Sequence, residues 1–246
     1  MSHAFILRHQ ALRSGLMAAF LAPLLAQAAV MPDRTRVIFE EGSQAVSVTL
    51  SNKNPQLPFV VQSWIENEQG KRITSPFMVL PPLQRIEANE RSMIRIVKLP
   101  ETALPADRES VFYLNVREIP PKSDAANSIQ IALQSKIKLF YRPASVKRER
   151  GQDVARGLEI KIDHAGKQLL VANPTPFHIT VVGLLAGEEK RRLPIEAVMI
   201  DPHGSARFAL ASTSITTLRV SHMNDFGGQT DTPFTCSAIQ CKAENP

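Results

Sequence analysis

Short runs of alternating apolar and polar residues, separated by turn residues, constrain the fold of this chain more than any other feature. The clearest runs are residues 45–50, 59–65, 92–97 and 111–116. Prolines stand between many of them, and the 246 residues include 18 prolines. Because proline breaks interior helical turns, whereas period-two alternation puts apolar side chains on one face of a strand, the pattern predicts an all-β chain and excludes a helical bundle.

The strand-like runs fall into two groups. About seven runs are complete by Tyr141, enough for one immunoglobulin-type sandwich of about 100 residues. Trp64 lies within the third run, where such sandwiches commonly keep a core tryptophan. Residues 143–150 have the composition of a linker, and strand-like runs resume at Leu158. We therefore predict two β-sandwich domains, residues 29–146 and 147–246.

The first 28 residues have the order of a cleavable export signal. Arg8 and Arg13 precede an apolar run at residues 16–25, and Ala26-Gln27-Ala28 supplies a small-x-small cleavage site. The apolar run is about ten residues long, too short to cross the ~30 Å hydrocarbon core of a bilayer. The sequence therefore predicts a signal peptide at residues 1–28, export, and no membrane insertion of the mature chain.

The two cysteines, Cys236 and Cys241, lie close together in the sequence. In an exported chain such a pair favours a disulfide that closes a short loop. A redox site more usually has CxxC spacing, and two cysteines without a neighbouring histidine make a poor metal site. We therefore expect a local structural disulfide.

Charge and motif patterns argue against several other classes of function. The net charge of +6 is not concentrated in one block, so nucleic acid is not an expected partner. No HxH, HExxH or GxSxG motif occurs in the predicted mature chain, which leaves a metal centre and a serine nucleophile unsupported. A sugar-binding sandwich would usually present several surface aromatic residues, and this chain has one tryptophan and two tyrosines.

One run, residues 129–141, is longer than a typical strand of ~5–6 residues. Its odd-numbered positions are mostly apolar, as in a strand with one buried face. A last core strand explains this pattern. A long apolar strand at a sheet edge, however, is a template for pairing with another chain. The sequence does not distinguish these two interpretations.

Several segments resemble the periplasmic pilus chaperones of the chaperone–usher pathway. They are residues 33–36, 62–66, 104–120 and 131–143 in the first domain, and 173–176 and 224–228 in the second. The resemblance implies two immunoglobulin-like domains set at an angle with a cleft between them, and no cofactor, ATP or catalysis. It implies a periplasmic location and two kinds of partner, pilus (fimbrial) subunits and an outer-membrane usher. The free chaperone would have the option of capping itself as a homodimer.

The resemblance also assigns roles to individual residues. Ile129, Ile131 and Leu133 correspond to a donor-strand zipper that completes the unfinished sandwich of a subunit. Arg36 and Lys138 correspond to the anchor that holds the subunit's C-terminal carboxylate. A third set matches an ion network between the two domains. Its members are Glu109, Arg142 and Asp225.

The numbering of these residues raises a geometric question. Lys138 is even-numbered and the zipper residues are odd-numbered, so a regular strand would point them to opposite faces. A bulge near Ser135-Lys136, or departure of the strand from its sheet toward the cleft, would reconcile the two roles. Both alternatives are open at this point.

Overall fold

The computed structural model describes residues 29–100, 103–122, 127, 129–149, 151–187 and 191–244. The predicted signal peptide lies outside the described residues. Within them the regular structure is almost entirely β-strand, and the helical part is a short 3₁₀ turn at Val154–Gly157. No helix in this part of the chain is long and apolar enough to span a membrane. The same residues contain no group of three or more His, Cys, Asp or Glu side chains suited to a metal ion.

The strands of the first domain belong to two sheets. They are β1 (Val30–Pro32), β2 (Arg36–Glu40), β3 (Ala45–Asn52), β4 (Phe59–Glu66), β5 (Arg72–Ile73), β6 (Phe77–Leu80), β7 (Leu83–Ile86), β8 (Arg91–Lys98), β9 (Ser110–Ile119) and β10 (Gln134–Arg142). One sheet has the order β1-β3-β8-β6. The other has the order β2-β10-β9-β4-β5, with β7 also paired to β4.

The inward faces of these sheets share one apolar core. Its centre is aromatic, since Phe77 lies edge-on to both Phe39 and Phe112 with ring centroids 5.1 Å apart. The expectation that Trp64 lies in this core is wrong. In β4 the odd-numbered residues are buried, so the even-numbered Trp64 lies on the outer face, where its Nε1 donates to Glu66 Oε1 at 2.8 Å.

The second domain contains the remaining strands. They are β11 (Glu159–Asp163), β12 (Gln168–Ala172), β13 (Ile179–Ala186), β14 (Arg191–Arg192), β15 (Val198–Ile200), β16 (Ser205–Ala209), β17 (Thr217–Met223), β18 (Gln229–Cys236) and β19 (Gln240–Ala243). Their pairing follows the path β14-β13-β17-β18-β19-β11-β12-β16, with β15 on β13.

Strands from the two ends of this path enclose one core. Phe208 of β16 and Leu169 of β12 belong to the same buried cluster as Val181 of β13 and Val220 of β17. The all-β, two-domain prediction is therefore confirmed. A disulfide joins Cys236 and Cys241 across the β18–β19 pair, as expected. The predicted boundary between residues 146 and 147 falls between β10 and β11 and stays a prediction.

The pairing of β10 determines which part of the chain remains at a sheet edge. β10 pairs with β9 from Gln134 to Tyr141, but with β2 only from Lys138 to Arg142. The first half of β10 therefore has a strand on one side only. Residues 129–133 lie outside the strand, so the strand is shorter than the predicted run 129–141. β9 ends at Ile119, two residues beyond Arg117, the partner of Gln134.

Candidate functional site

The odd-numbered residues from 129 to 141, which we call the row, are largely apolar and lie in two environments. Ile137 and Leu139 are buried in the first-domain core. In contrast, Ile129 is 90% exposed, Ile131 66% and Leu133 36%. Burying an aliphatic side chain contributes about 1.5–3 kcal/mol. The exposed half of the row, which contains the predicted zipper, can therefore stabilise a complex with a partner that covers it.

The even-numbered face of β10 explains how Lys138 reaches the second domain. Pairing between β10 and β9 is continuous from Gln134 to Tyr141 without a register shift, so the bulge considered near Ser135-Lys136 is wrong. The strand also does not leave its sheet at Lys138, which pairs with both neighbours. Simple alternation turns Lys138 away from the core, and its Nζ lies 3.3 Å from Thr180 Oγ1.

Arg36 and Lys138 lie opposite each other in the parallel pair of β2 and β10. Arg36 Nη1 donates to the Met223 carbonyl at 3.4 Å, and the buried Arg36 Nε has no hydrogen-bond partner among the described residues. We call the space defined by Arg36, Lys138, Thr180 and Met223 the cleft. It brings two cationic side chains from the first domain against polar atoms of the second.

Electrostatics favour a bound anion in the cleft. Burial lowers the pKa of the Arg36 guanidinium. Burial, followed by repulsion from Arg36, lowers the pKa of the Lys138 ammonium. An anion between the two groups would oppose both effects. A carboxylate suits this pair, because arginine offers a planar fork of donors and lysine a compact point charge.

The predicted ion network is assembled around buried Arg142. Its Nε and Nη2 donate to Glu109 Oε1 at 2.9 and 2.8 Å. Its Nη1 and Nη2 both donate to Asp225 Oδ2 at 3.1 Å. Burial by itself would lower the pKa of Arg142, but the charges of Glu109 and Asp225 outweigh it and the pKa is raised. Since Asp225 lies in the second domain, the network joins the two domains.

Sequence reasoning missed three further members of this network. Glu40 Oε1 accepts from Arg142 Nη1 at 3.2 Å, and Arg148 forms an ion pair with Asp225. The backbone N–H of His178 donates to Glu109 Oε2 at 2.8 Å. No spacing signal marks these residues, because Glu40 and Arg142 are 102 positions apart in the sequence.

The turn at residues 224–228 places Asp225 beside the first domain. Asn224 Oδ1 accepts hydrogen bonds from the backbone N–H groups of Phe226 and Gly228, each at 3.0 Å. Gly227 has a φ of +81°, and a Cβ at this position would collide with the Thr35 side chain. Glycine is therefore needed for both the backbone conformation and the close approach of the domains.

Two family models match the sequence, one in each domain. The model described as pili and flagellar-assembly chaperone, PapD N-terminal domain, matches residues 29–147. The model described as pili assembly chaperone PapD, C-terminal domain, matches residues 153–234. Together they cover both domains.

Individual proteins agree with the family models. Chaperone protein PapD of Escherichia coli is 42% identical over 223 residues, covering 89% of this chain and 91% of that protein. Chaperone protein PmfD of Proteus mirabilis (strain HI4320) is 40% identical over 221 residues, covering 88% and 87%. Among solved structures, a chain from the Salmonella enterica SafA pilin in complex with the SafB chaperone matches with a TM-score of 0.73 and 27% identity, covering 86% of this chain and 98% of that one.

Proposed function

This chain belongs to the PapD family of pilus assembly chaperones, and we propose that it binds pilus subunits in the periplasm by donor-strand complementation. The observation that carries the proposal is the exposed apolar row of Ile129, Ile131 and Leu133, which runs toward the cationic cleft. In this mechanism the row fills the groove that a missing strand leaves in the subunit. The subunit then receives an apolar strand without any chemical step.

Burial of the zipper residues alone does not supply enough free energy for stable binding, so other contacts must contribute. Burying three aliphatic side chains would supply about 5–9 kcal/mol. Association costs about 4–15 kcal/mol in lost freedom, so these side chains alone do not ensure a stable complex. Main-chain hydrogen bonds from residues 129–133 to the subunit add to them. The carboxylate anchor adds charge-assisted bonds of roughly 1.5–3 kcal/mol each.

The anchor at Arg36 and Lys138 also sets alignment. A one-residue slip of a paired strand turns every side chain to the opposite face. Holding the subunit's C-terminal carboxylate between these two cations fixes where its last strand ends. The three zipper residues then meet the open groove in a single register.

The proposed function also includes delivery of the subunit to the usher and a state of the chaperone without a subunit. The loaded chaperone passes its subunit to an outer-membrane usher, without ATP and without catalysis. Free chaperones have the option of covering their exposed rows by pairing as a homodimer, so amide exchange in the free form is measured on the monomer. Export occurs through the signal peptide predicted at residues 1–28.

Hydrogen exchange on a purified complex tests this function. The chaperone is co-expressed in the periplasm with a pilus subunit encoded beside its own gene. We expect a one-to-one complex in which the amides of residues 129–133 exchange more slowly than in the free chaperone. A stable complex in which those amides exchange as fast as in the free protein would contradict donor-strand complementation.

A further inference from the structure

We propose that a polar network on the outer face of the first domain sets the register of residues 129–133 before a subunit binds. Its members, which we call the brace, are Glu66, Asn115, Gln134 and Lys136. The inference rests on the proposed function, because the register of this segment matters for binding only if it is a donor strand. The brace residues are positioning residues, since they act through the segment that they hold.

The contacts of the brace run across three neighbouring strands. Lys136 Nζ on β10 donates to Glu66 Oε2 on β4 at 2.7 Å. Gln134 Nε2 on β10 donates to Asn115 Oδ1 on β9 at 2.8 Å. Asn115 is completely buried, although it lies on the outer face. The hydrogen bond from Lys136 is the main cause that lowers the pKa of Glu66, so this carboxylate is held in its charged form.

These contacts discriminate between registers of β10. Lys136 lies opposite Asn115, which lies opposite Trp64, so the link from Lys136 to Glu66 is diagonal. A slip of one residue would turn Lys136 toward the apolar core, where an unpaired ammonium is strongly disfavoured. A slip of two residues away from the row of Glu66 and Tyr113 would move Lys136 by a further ~6.6 Å along the strand, beyond hydrogen-bond reach of Glu66.

The brace connects directly to the exposed segment. Gln134 follows Leu133, whose carbonyl accepts from the Glu118 backbone N–H at 3.0 Å. Farther out, Gln130 Nε2 donates to the Pro121 carbonyl at 2.5 Å. Even-numbered side chains thus hold the segment to its own domain and leave the odd-numbered apolar row free. Ordering the segment in advance reduces the entropy that is lost when a subunit binds.

Substitution of Lys136 tests the brace. Lys136→Met removes the charge and keeps the length of the side chain, Lys136→Arg keeps the charge, and Lys161→Met is a control on an exposed lysine of β11. In the free chaperone we expect Lys136→Met to speed amide exchange at residues 129–133 roughly fivefold to tenfold, as expected for local loosening. In the Lys136→Arg variant, exchange at residues 129–133 stays as slow as in the wild type, and Lys161→Met also leaves it unchanged.

Subunit binding gives the second measurement. We expect Lys136→Met to lower the association rate with the subunit roughly fivefold, because ordering of the segment then accompanies binding. Gln134→Leu gives the same pattern and serves if Lys136→Met does not fold. Unchanged exchange at residues 129–133 in both variants would overturn the brace. Failure of the wild-type chaperone to bind any subunit would instead overturn the proposed function. Amide exchange in the free chaperone would still show whether the brace orders residues 129–133.

Discussion

At the scale of single residues, Arg36 and Lys138 are distinctive. Among the described residues, neither forms an ion pair with a carboxylate. Asp225, the main source of opposing charge for Arg36, forms its ion pairs with Arg142 and Arg148. Arg36 and Lys138 therefore keep donors available. The anchor residues are therefore distinct from the residues of the network that joins the domains.

Removing one cation tests the anchor. Arg36→Ala should leave the chaperone folded and weaken subunit binding by at least about tenfold, because a charge-assisted bond is worth roughly 1.5–3 kcal/mol. Titration of the subunit by calorimetry measures the loss. Arg91→Ala, at an exposed position of β8, is the control. Equal affinities for Arg36→Ala and wild type would refute the anchor.

The pKa of Lys138 predicts a pH dependence of binding. This pKa is lowered in the free chaperone, and a bound carboxylate would raise it again. Above the free-state pKa, binding must take up a proton, so affinity should fall as the pH rises from neutrality through that pKa. Lys138→Arg, which stays charged, should lose this dependence. Affinity that is flat for the wild type over the same alkaline range would count against the prediction.

Among the secondary-structure elements, β10 serves two purposes through strict alternation. Its odd-numbered face belongs to the first-domain core and continues into the exposed row, and its even-numbered face meets the second domain and the brace. No irregularity in the β9–β10 pair is needed. A single regular strand therefore carries core residues and the anchor residue Lys138, and the zipper lies in the segment that directly precedes it.

A charge in the exposed row should block capture without unfolding the chaperone. Ile131→Asp would put a carboxylate into an apolar groove of the subunit, which is costly, but the position is open to solvent in the free protein. Ile239→Asp is a matched control, because Ile239 and Ile131 are both 66% exposed. Circular dichroism checks folding and co-purification checks capture. Loss of folding in Ile131→Asp would mean that this residue belongs to the core.

Across the whole molecule, the Arg142 network couples two domains that each have their own apolar core. Its members come from β2, from Glu109 directly before β9, and from β10 on one side, and from the turn at residues 224–228 on the other. Buried ion networks often fix geometry more than they add stability. We propose that this one fixes the angle between the two domains at the cleft.

Breaking the network should destabilise the chain strongly. Arg142→Met leaves Glu109 buried without its main cation, which costs about 3–5 kcal/mol. Denaturant unfolding measures the change in free energy. Arg85→Met is the control, because its ion pair with Glu87 is more than half exposed on both sides and contributes little. A loss for Arg142→Met no larger than for the control would show that the network is dispensable.

The β class and the two groups of strands could be predicted from the order of residues alone, because period-two alternation is a local property of the chain. Motifs with a family resemblance indicated Arg36, Lys138 and the zipper. The folded chain was needed to show that the row is exposed at Ile131 but buried at Ile137, and that Glu40 reaches Arg142. Burial and distant ion pairs depend on which strands become neighbours, and residues far apart in a sequence carry no local sign of that.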